Sequence, residues 1–100
     1  MDVKLVDRGN EGELLLAGRL ETTNANEAEE LFLQLADRFQ DITLNMKDLK
    51  YISSAGLRVL KKLYMKVRSN NGELSVSNVS EYVMEVFEMT GFASILNIKG

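Results

Sequence analysis

Two adjacent serines, Ser53 and Ser54, are the residues of this 100-residue chain whose type and position best suit chemistry. They stand between an extended run and a helix with apolar spacing. Serine is a preferred N-cap because its hydroxyl accepts a hydrogen bond from a free N–H of the first helical turn. Ala55 and Gly56 follow and leave that turn sterically bare. A hydroxyl at such a position can cap the helix, attack a substrate or accept a phosphoryl group.

Nucleophilic catalysis by Ser54 is the least supported of these three roles. A serine nucleophile needs a base within hydrogen-bond reach, usually histidine or an activated lysine. The chain contains no histidine and no cysteine, and Lys50 has no evident partner that would activate it. We therefore expect no catalytic residue and no enzyme activity, which leaves capping and phosphorylation as the alternatives for Ser54.

Phosphorylation of Ser54 requires only an exposed hydroxyl and a kinase that can approach it. The phosphate would carry about −1.5 to −2 charges and would face free N–H groups at the positive end of the helix dipole. Because the fold should tolerate such a group, we expect its effect to fall on a partner. Sequence spacing alone favours the capping role.

The composition of the chain restricts its partners. A net charge of −3 argues against dependence on nucleic acid. No apolar run approaches the roughly 20 residues that span a bilayer, and the N-terminus lacks a signal pattern. Neither a phosphate-binding loop nor an Asp-rich metal loop occurs. We expect a cytoplasmic protein with no metal, cofactor, membrane or nucleic-acid partner.

The strands are predicted from turn residues and alternation. Segments 3–6 and 13–20 are typical of a hairpin joined through the turn-forming cluster at 9–12. Segments 42–46 and 74–76 alternate apolar and polar residues, which predicts strands with one wet face. The sheet should therefore be covered mainly on one side.

Three helices are predicted from apolar spacing and caps. The first spans residues 25–39, with Asn24 and Glu27 as a capping box; the second runs from Ser54 to about residue 70; the third runs from about residue 80 to a stop at Thr90 and Gly91. The apolar residues expected to close the core as a short turn and a final strand are Phe92, Ile95, Leu96 and Ile98.

This order predicts an α/β fold in a single domain, residues 1–100. Right-handed crossovers would give a mixed, mostly parallel sheet of about four to five strands, with helices packed mainly on one face. The strand ends near Leu20, Ile52 and Val79 should then meet at one edge, together with three helix N-termini. Open sheets of this kind bind ligands beyond the carboxyl ends of their strands.

The helix that begins at Ser54 carries five of the twelve basic residues of the chain and no acidic residue. Two explanations fit this excess of basic residues. The helix face can simply be exposed to water, or it can be a docking face that attracts an acidic partner. The predicted buried stripe of this helix is Leu57, Leu60, Tyr64 and Val67. The predicted partner-binding residues are Glu21, Thr22, Thr23, Ser53, Ser54, Ala55, Gly56, Arg58, Lys61, Lys62 and Met65.

Three motifs together resemble one known family. Residues 48–60, Asp-Leu-Lys-Tyr-Ile-Ser-Ser-Ala-Gly-Leu-Arg-Val-Leu, resemble the signature of the STAS domain, the fold of bacterial anti-sigma factor antagonists. Residues 18–21 look like the family's Gly-x-Leu-Asp, and residues 86–92 look like its motif at the end of the last helix. The resemblance covers nearly the whole chain.

The resemblance implies a partner-switching cycle. An antagonist of this family binds an anti-sigma factor that is also a serine kinase, is phosphorylated and released by it, and is reset by a phosphatase. The acceptor corresponds to Ser54. Ser53 stands where the family carries aspartate and is the neighbouring alternative acceptor, Ala55 stands where it carries serine or threonine, and Glu21 replaces an aspartate.

The resemblance also leaves an alternative function. STAS domains serve as accessory subunits of transporters or as signalling scaffolds, and in such a protein Ser54 would only cap the helix. In the antagonist cycle we expect the free protein to be a monomer.

Overall fold

The computed structural model describes residues 1–99 as a five-stranded sheet with three helices. The elements are β1 (Asp2–Arg8), β2 (Glu11–Leu20), α1 (Ala25–Arg38), β3 (Asp41–Ile52), α2 (Ser54–Ser69), β4 (Leu74–Ser77), α3 (Glu81–Met89), a 3₁₀ turn (Phe92–Ser94) and β5 (Asn97–Lys99). The strands lie in the order β1-β2-β3-β4-β5, with β1 antiparallel to β2 and the other pairs parallel. The predicted element order and mixed, mostly parallel sheet are confirmed.

Strand β3 is much longer than predicted. Sequence alternation suggested that it ends at residue 46, but it continues to Ile52. The register with β2 explains this: from Asn45 to Asp48, and again from Leu49 to Tyr51, β3 advances one residue more than its partner. Two bulges thus change the spacing of the inward residues from two to three. These residues are Ile42, Leu44, Met46, Leu49 and Ile52, all buried.

Helices α1 and α2 pack side by side, but two details of them differ from prediction. Asn24 forms no capping box; its side chain accepts from Glu21 N and donates to Arg19 O instead. On α2, Leu57 and Tyr64 are only half-buried. The stripe of α2 that faces the core is Gly56, Val59, Leu60, Leu63 and Val67.

Helix α3 begins and ends where the sequence indicated. Ser80 caps it through a hydrogen bond that its hydroxyl accepts from Val83 N, 3.2 Å away, and Thr90 is its C-cap. After it, Phe92 and Leu96 are buried as expected. The prediction that Ile95 also closes the core is wrong, because its exposed fraction is 43%.

Within residues 1–99, none of the helices is long and apolar enough to cross a membrane. The longest helix is α2, with 16 residues.

The sheet face away from the apolar core carries polar side chains in register across four strands, as the alternation predicted, but Thr43 and Ser75 are buried, so this face is not wet throughout. Glu13, Thr43, Ser75 and Asn97 form one cross-strand row. Glu13 accepts hydrogen bonds from Arg8 Nη2 at 2.8 Å and from Asn45 Nδ2 at 3.2 Å. The hydrogen bond from Arg8 is the main cause that holds the pKa of Glu13 below its ordinary value, and the one from Asn45 adds to it.

The lowered pKa of Glu13 predicts part of the acid sensitivity of the fold. A carboxylate with a depressed folded pKa stabilises the fold above the ordinary glutamate value of about 4.3. That stability is lost as pH falls through the lower folded value. We expect Glu13→Gln to destabilise the protein at pH 7 and to flatten the decline in unfolding free energy below about pH 4.3, measured by urea titration across pH.

The matched control is Glu88→Gln, since Glu88 is exposed and its side chain has no hydrogen-bond partner in residues 1–99. An acid-side slope for Glu13→Gln equal to that of the wild type would contradict the assignment.

Candidate functional site at the start of helix α2

Ser53, and not Ser54, caps helix α2. Ser53 has the extended backbone of an N-cap, and its hydroxyl accepts a hydrogen bond from Gly56 N at 3.2 Å. Its carbonyl oxygen accepts from Leu57 N at 2.9 Å. The capping role that the sequence left open for Ser54 therefore belongs to its neighbour.

Ser54 is the first residue of α2, and its side chain is exposed. In the described part of the chain, residues 1–99, no hydrogen bond engages its hydroxyl. The first N–H groups of a helix have no intrahelical acceptor, so an acceptor at this position meets unpaired donors and the positive end of the dipole. The arrangement leaves a free hydroxyl at a site that favours negative charge.

The start of α2 is joined closely to the end of β2. Ser53 N donates to Leu20 O at 2.9 Å. A Cβ at position 56 would lie 2.9 Å from Leu20 O, Leu20 Cγ and Ile52 Cγ1, so only glycine fits without a shift. Gly56 is buried. We correct its predicted role: Gly56 contacts the strand ends and is not available to a partner.

The segment between β2 and α1 contributes unequally to this site. Thr22 lines a cleft of about 200 Å³ together with Ala55 and Arg58, so the structure brings these three residues together. Thr23 is exposed but does not line that cleft. The carboxylate of Glu21 pairs with Arg19, with 3.1 Å between Glu21 Oε2 and Arg19 Nε.

The predicted meeting of three helix N-termini is seen only in part: the start of α3 does reach the upper part of β3, where the Tyr82 ring stacks on Tyr51. Strand β4 ends at Ser77, opposite Asn45, while β3 continues to Ile52. Asn78 directly follows β4 and lies beside Asn45, because its Nδ2 donates a hydrogen bond to Asn45 Oδ1 at 3.1 Å. The part of α3 beside Ser54 is its C-terminal end, because Ser54 and Thr90 line one groove, which is described below.

The outer face of α2 is basic and exposed, as predicted. Lys62 Nζ lies 2.9 Å from Glu29 Oε1 on α1, and Lys66 Nζ lies 3.1 Å from Asp37 Oδ1. Arg58 and Lys61 are exposed and form no salt bridge within residues 1–99. Met65, beyond them, is 60% exposed. Arg58 and Lys61, the two unpaired cations nearest Ser54 along α2, are therefore available to a partner.

A groove of about 410 Å³ opens beside Ser54, between α2 and the 3₁₀ turn; we name it the Ile95 groove. Sequence analysis missed it because Phe92 and Ile95 look like ordinary core residues and no motif marks a groove. The residues that line it are Ser54, Leu57, Arg58, Lys61, Thr90, Gly91, Phe92 and Ile95.

Sequence analysis also missed an aromatic contact at the end of β3. Arg19 Cζ lies 4.3 Å from the centre of the Tyr51 ring, and the Tyr51 and Tyr82 rings stack with centroids 6.0 Å apart. Arg19 and Tyr51 are direct neighbours across β2 and β3. This contact attaches the start of α3 to the upper part of β3.

The site has the features of a modification and contact surface. Within residues 1–99, no cluster of three or more His, Cys, Asp or Glu side chains could hold a metal ion. A free hydroxyl, two available cations and a mainly apolar groove share one surface. Such a surface can accept a phosphoryl group and bind a protein.

The two serines should differ in their contribution to stability. Ser53→Ala removes the cap and should lower the free energy of unfolding by about 1 kcal/mol. Ser54→Ala removes an exposed hydroxyl without a partner and should change it by less than about 0.5 kcal/mol. Urea unfolding of the two variants measures both values, and the reverse order would contradict the assignment of the cap.

Gly56→Ala should be destabilising although alanine is the better helix former by about 1 kcal/mol. Its Cβ would overlap the end of β2, and forcing extra atoms into packed space costs about 1–3 kcal/mol. Thermal and urea unfolding should both show the loss. A variant as stable as the wild type would mean that α2 can move away from Leu20 freely.

Known proteins share this fold. The STAS domain model matches residues 4–100. The anti-sigma-B factor antagonist of Bacillus subtilis is 28% identical over 98 residues, 98% of this chain and 90% of that protein. BtrV of Bordetella bronchiseptica is 38% identical over 84 residues, 83% of this chain and 72% of that protein. The structure of the anti-sigma factor antagonist SpoIIAA in its unphosphorylated form matches with a TM-score of 0.78 at 14% identity, covering 99% of this chain and 88% of that one. The match over residues 4–100 shows that the chain belongs to the STAS domain family.

Proposed function

We propose that this protein is an anti-sigma factor antagonist that binds an anti-sigma factor and is released from it by phosphorylation of Ser54. The observation that carries the proposal is the exposed, unbonded hydroxyl of Ser54 at the first position of α2, beside two available cations. Its Bacillus subtilis relative is named for antagonism of an anti-sigma factor. The partner would be a serine kinase as well, and a phosphatase would restore the unmodified state.

Phosphate on Ser54 would act on the complex more than on the fold. The free protein can accommodate the charge, because the group would lie in water at the positive end of the α2 dipole. In a complex, the same charge would have to be buried against the partner, and unpaired buried charge is costly. A penalty of about 3 kcal/mol weakens binding more than a hundredfold.

Ser54 is a better acceptor than Ser53. Ser53 is half-buried, and its hydroxyl already accepts a hydrogen bond from Gly56 N. Ser54 is exposed and can be approached by a kinase. The protein SpoIIAA, which shares this fold, has also been solved in a phosphorylated form.

The role is regulatory and non-enzymatic. No general base is available from histidine anywhere in the sequence. The proposed cycle takes place in the cytoplasm, where the kinase finds ATP, and it needs no cofactor on this chain. The free protein would be a monomer that exposes the start of α2.

The first test is phosphorylation by a purified cognate anti-sigma kinase with ATP, followed by intact mass and fragment analysis. We expect one phosphoryl group on the wild type and on Ser53→Ala, and none on Ser54→Ala. The phosphorylated wild type should bind the kinase more than a hundredfold more weakly than the unmodified protein, because a buried complex cannot solvate the new charge.

Two outcomes would contradict the proposal. Absence of both phosphate and complex would remove the antagonist cycle. A stable complex that persists after phosphorylation, or with Ser54→Asp, would instead favour an accessory subunit of a transporter or signalling scaffold.

A further inference from the structure

We propose that the Ile95 groove binds an acidic amphipathic segment of the partner protein, with a bulky apolar side chain in the groove and carboxylates at Arg58 and Lys61. The proposal rests on the proposed function in that it states what chemistry the partner presents beside Ser54. The groove has a volume of about 410 Å³ and lies directly beside Ser54.

The inner wall of the groove is apolar and incompletely covered. Phe92 is buried and forms the floor with half-buried Leu57, while Ile95 remains 43% exposed at the rim. Leaving an isoleucine in water forfeits part of the burial energy that this side chain could supply. A partner side chain that fills the groove would recover that energy, and pockets of this size and character bind apolar groups.

The charge beside the groove selects the partner. Arg58 and Lys61 are three residues apart on α2 and lie near each other along the groove. None of the residues that line the groove within the described chain is acidic. Lys62 and Lys66 differ, since each is paired with a carboxylate of α1. Two like charges without a salt bridge favour an acidic segment over a neutral or basic one.

Ser54 links the groove to the phosphorylation switch. It also lines the groove, one helical turn before Arg58. At that spacing, side chains of a helix meet, so a phosphate on Ser54 would pair with Arg58 and withdraw its charge from the partner. The same phosphate would repel the carboxylates of the bound segment. Competition within the groove thus releases the partner without a change of fold.

The test uses a synthetic helical peptide as the probe, with a leucine and a phenylalanine four residues apart and glutamates on either side. A second peptide carries lysine in place of each glutamate. Titration of each peptide into the ¹⁵N-labelled full chain, followed by amide chemical shifts, should show saturable binding of the acidic peptide only. The largest shifts are expected at Leu57, Phe92 and Ile95.

Four variants separate the apolar and charged contributions. Ile95→Ser should weaken binding of the acidic peptide about tenfold, and the double change Arg58→Gln with Lys61→Gln should do the same. The controls are Met89→Ser, an 85% exposed side chain outside the groove, and Lys66→Gln on the same helix. Each control should change the affinity by less than about twofold.

Lack of saturable binding by the acidic peptide up to about 1 mM would overturn the groove proposal. Equal binding of the lysine peptide, or shifts confined to other surfaces, would overturn it as well. These outcomes do not depend on the kinase. If the protein is phosphorylated on Ser54 but fails the peptide test, the groove proposal is refuted and the antagonist function is retained. A protein that binds the peptide in the groove but shows neither phosphate on Ser54 nor a complex with the kinase keeps the groove proposal and refutes the antagonist function.

Discussion

The close junction between the start of α2 and the end of β2 is the constraint on which the site depends. Ser53 N–H donates to Leu20 O, the Ser53 hydroxyl accepts from Gly56 N, and the missing side chain of Gly56 allows the approach. These contacts fix the backbone on both sides of residue 54. In that position Ser54 is the first residue of α2 and its side chain is exposed.

The unequal lengths of β3 and β4 create the groove beside that hydroxyl. Strand β3 continues to Ile52, whereas β4 ends at Ser77, opposite Asn45. Helix α3 packs against the extra length of β3, and the stacked rings of Tyr51 and Tyr82 hold its start there. Its other end then reaches α2, where the 3₁₀ turn brings Phe92 and Ile95 next to Leu57.

The periodic spacing of apolar residues predicts the regular helices and strands. It does not predict features that depend on a bulge or on a single residue. The order of the elements along the chain, the three helices and the exposed basic face follow from spacing alone. The extension of β3 does not, because bulges replace the two-residue period with three from Met46 to Ile52. Either serine could cap α2 until the geometry distinguishes them. Ile95 has the composition of a core residue, and only its neighbours determine that it stays at the surface.

In the proposed switch, a serine at position 53 would change the electrostatics beside residue 54 without changing the start of the helix. Aspartate and serine are both preferred N-caps, so either can accept the hydrogen bond from Gly56 N that starts α2. An aspartate would also place a fixed negative charge beside residue 54 and would repel a phosphate there. With Ser53, the dipole of α2 and Arg58 would meet that phosphate without this opposition. Serine at position 53 therefore preserves the helix start and would make the proposed phosphorylated state of the free protein easier to accommodate.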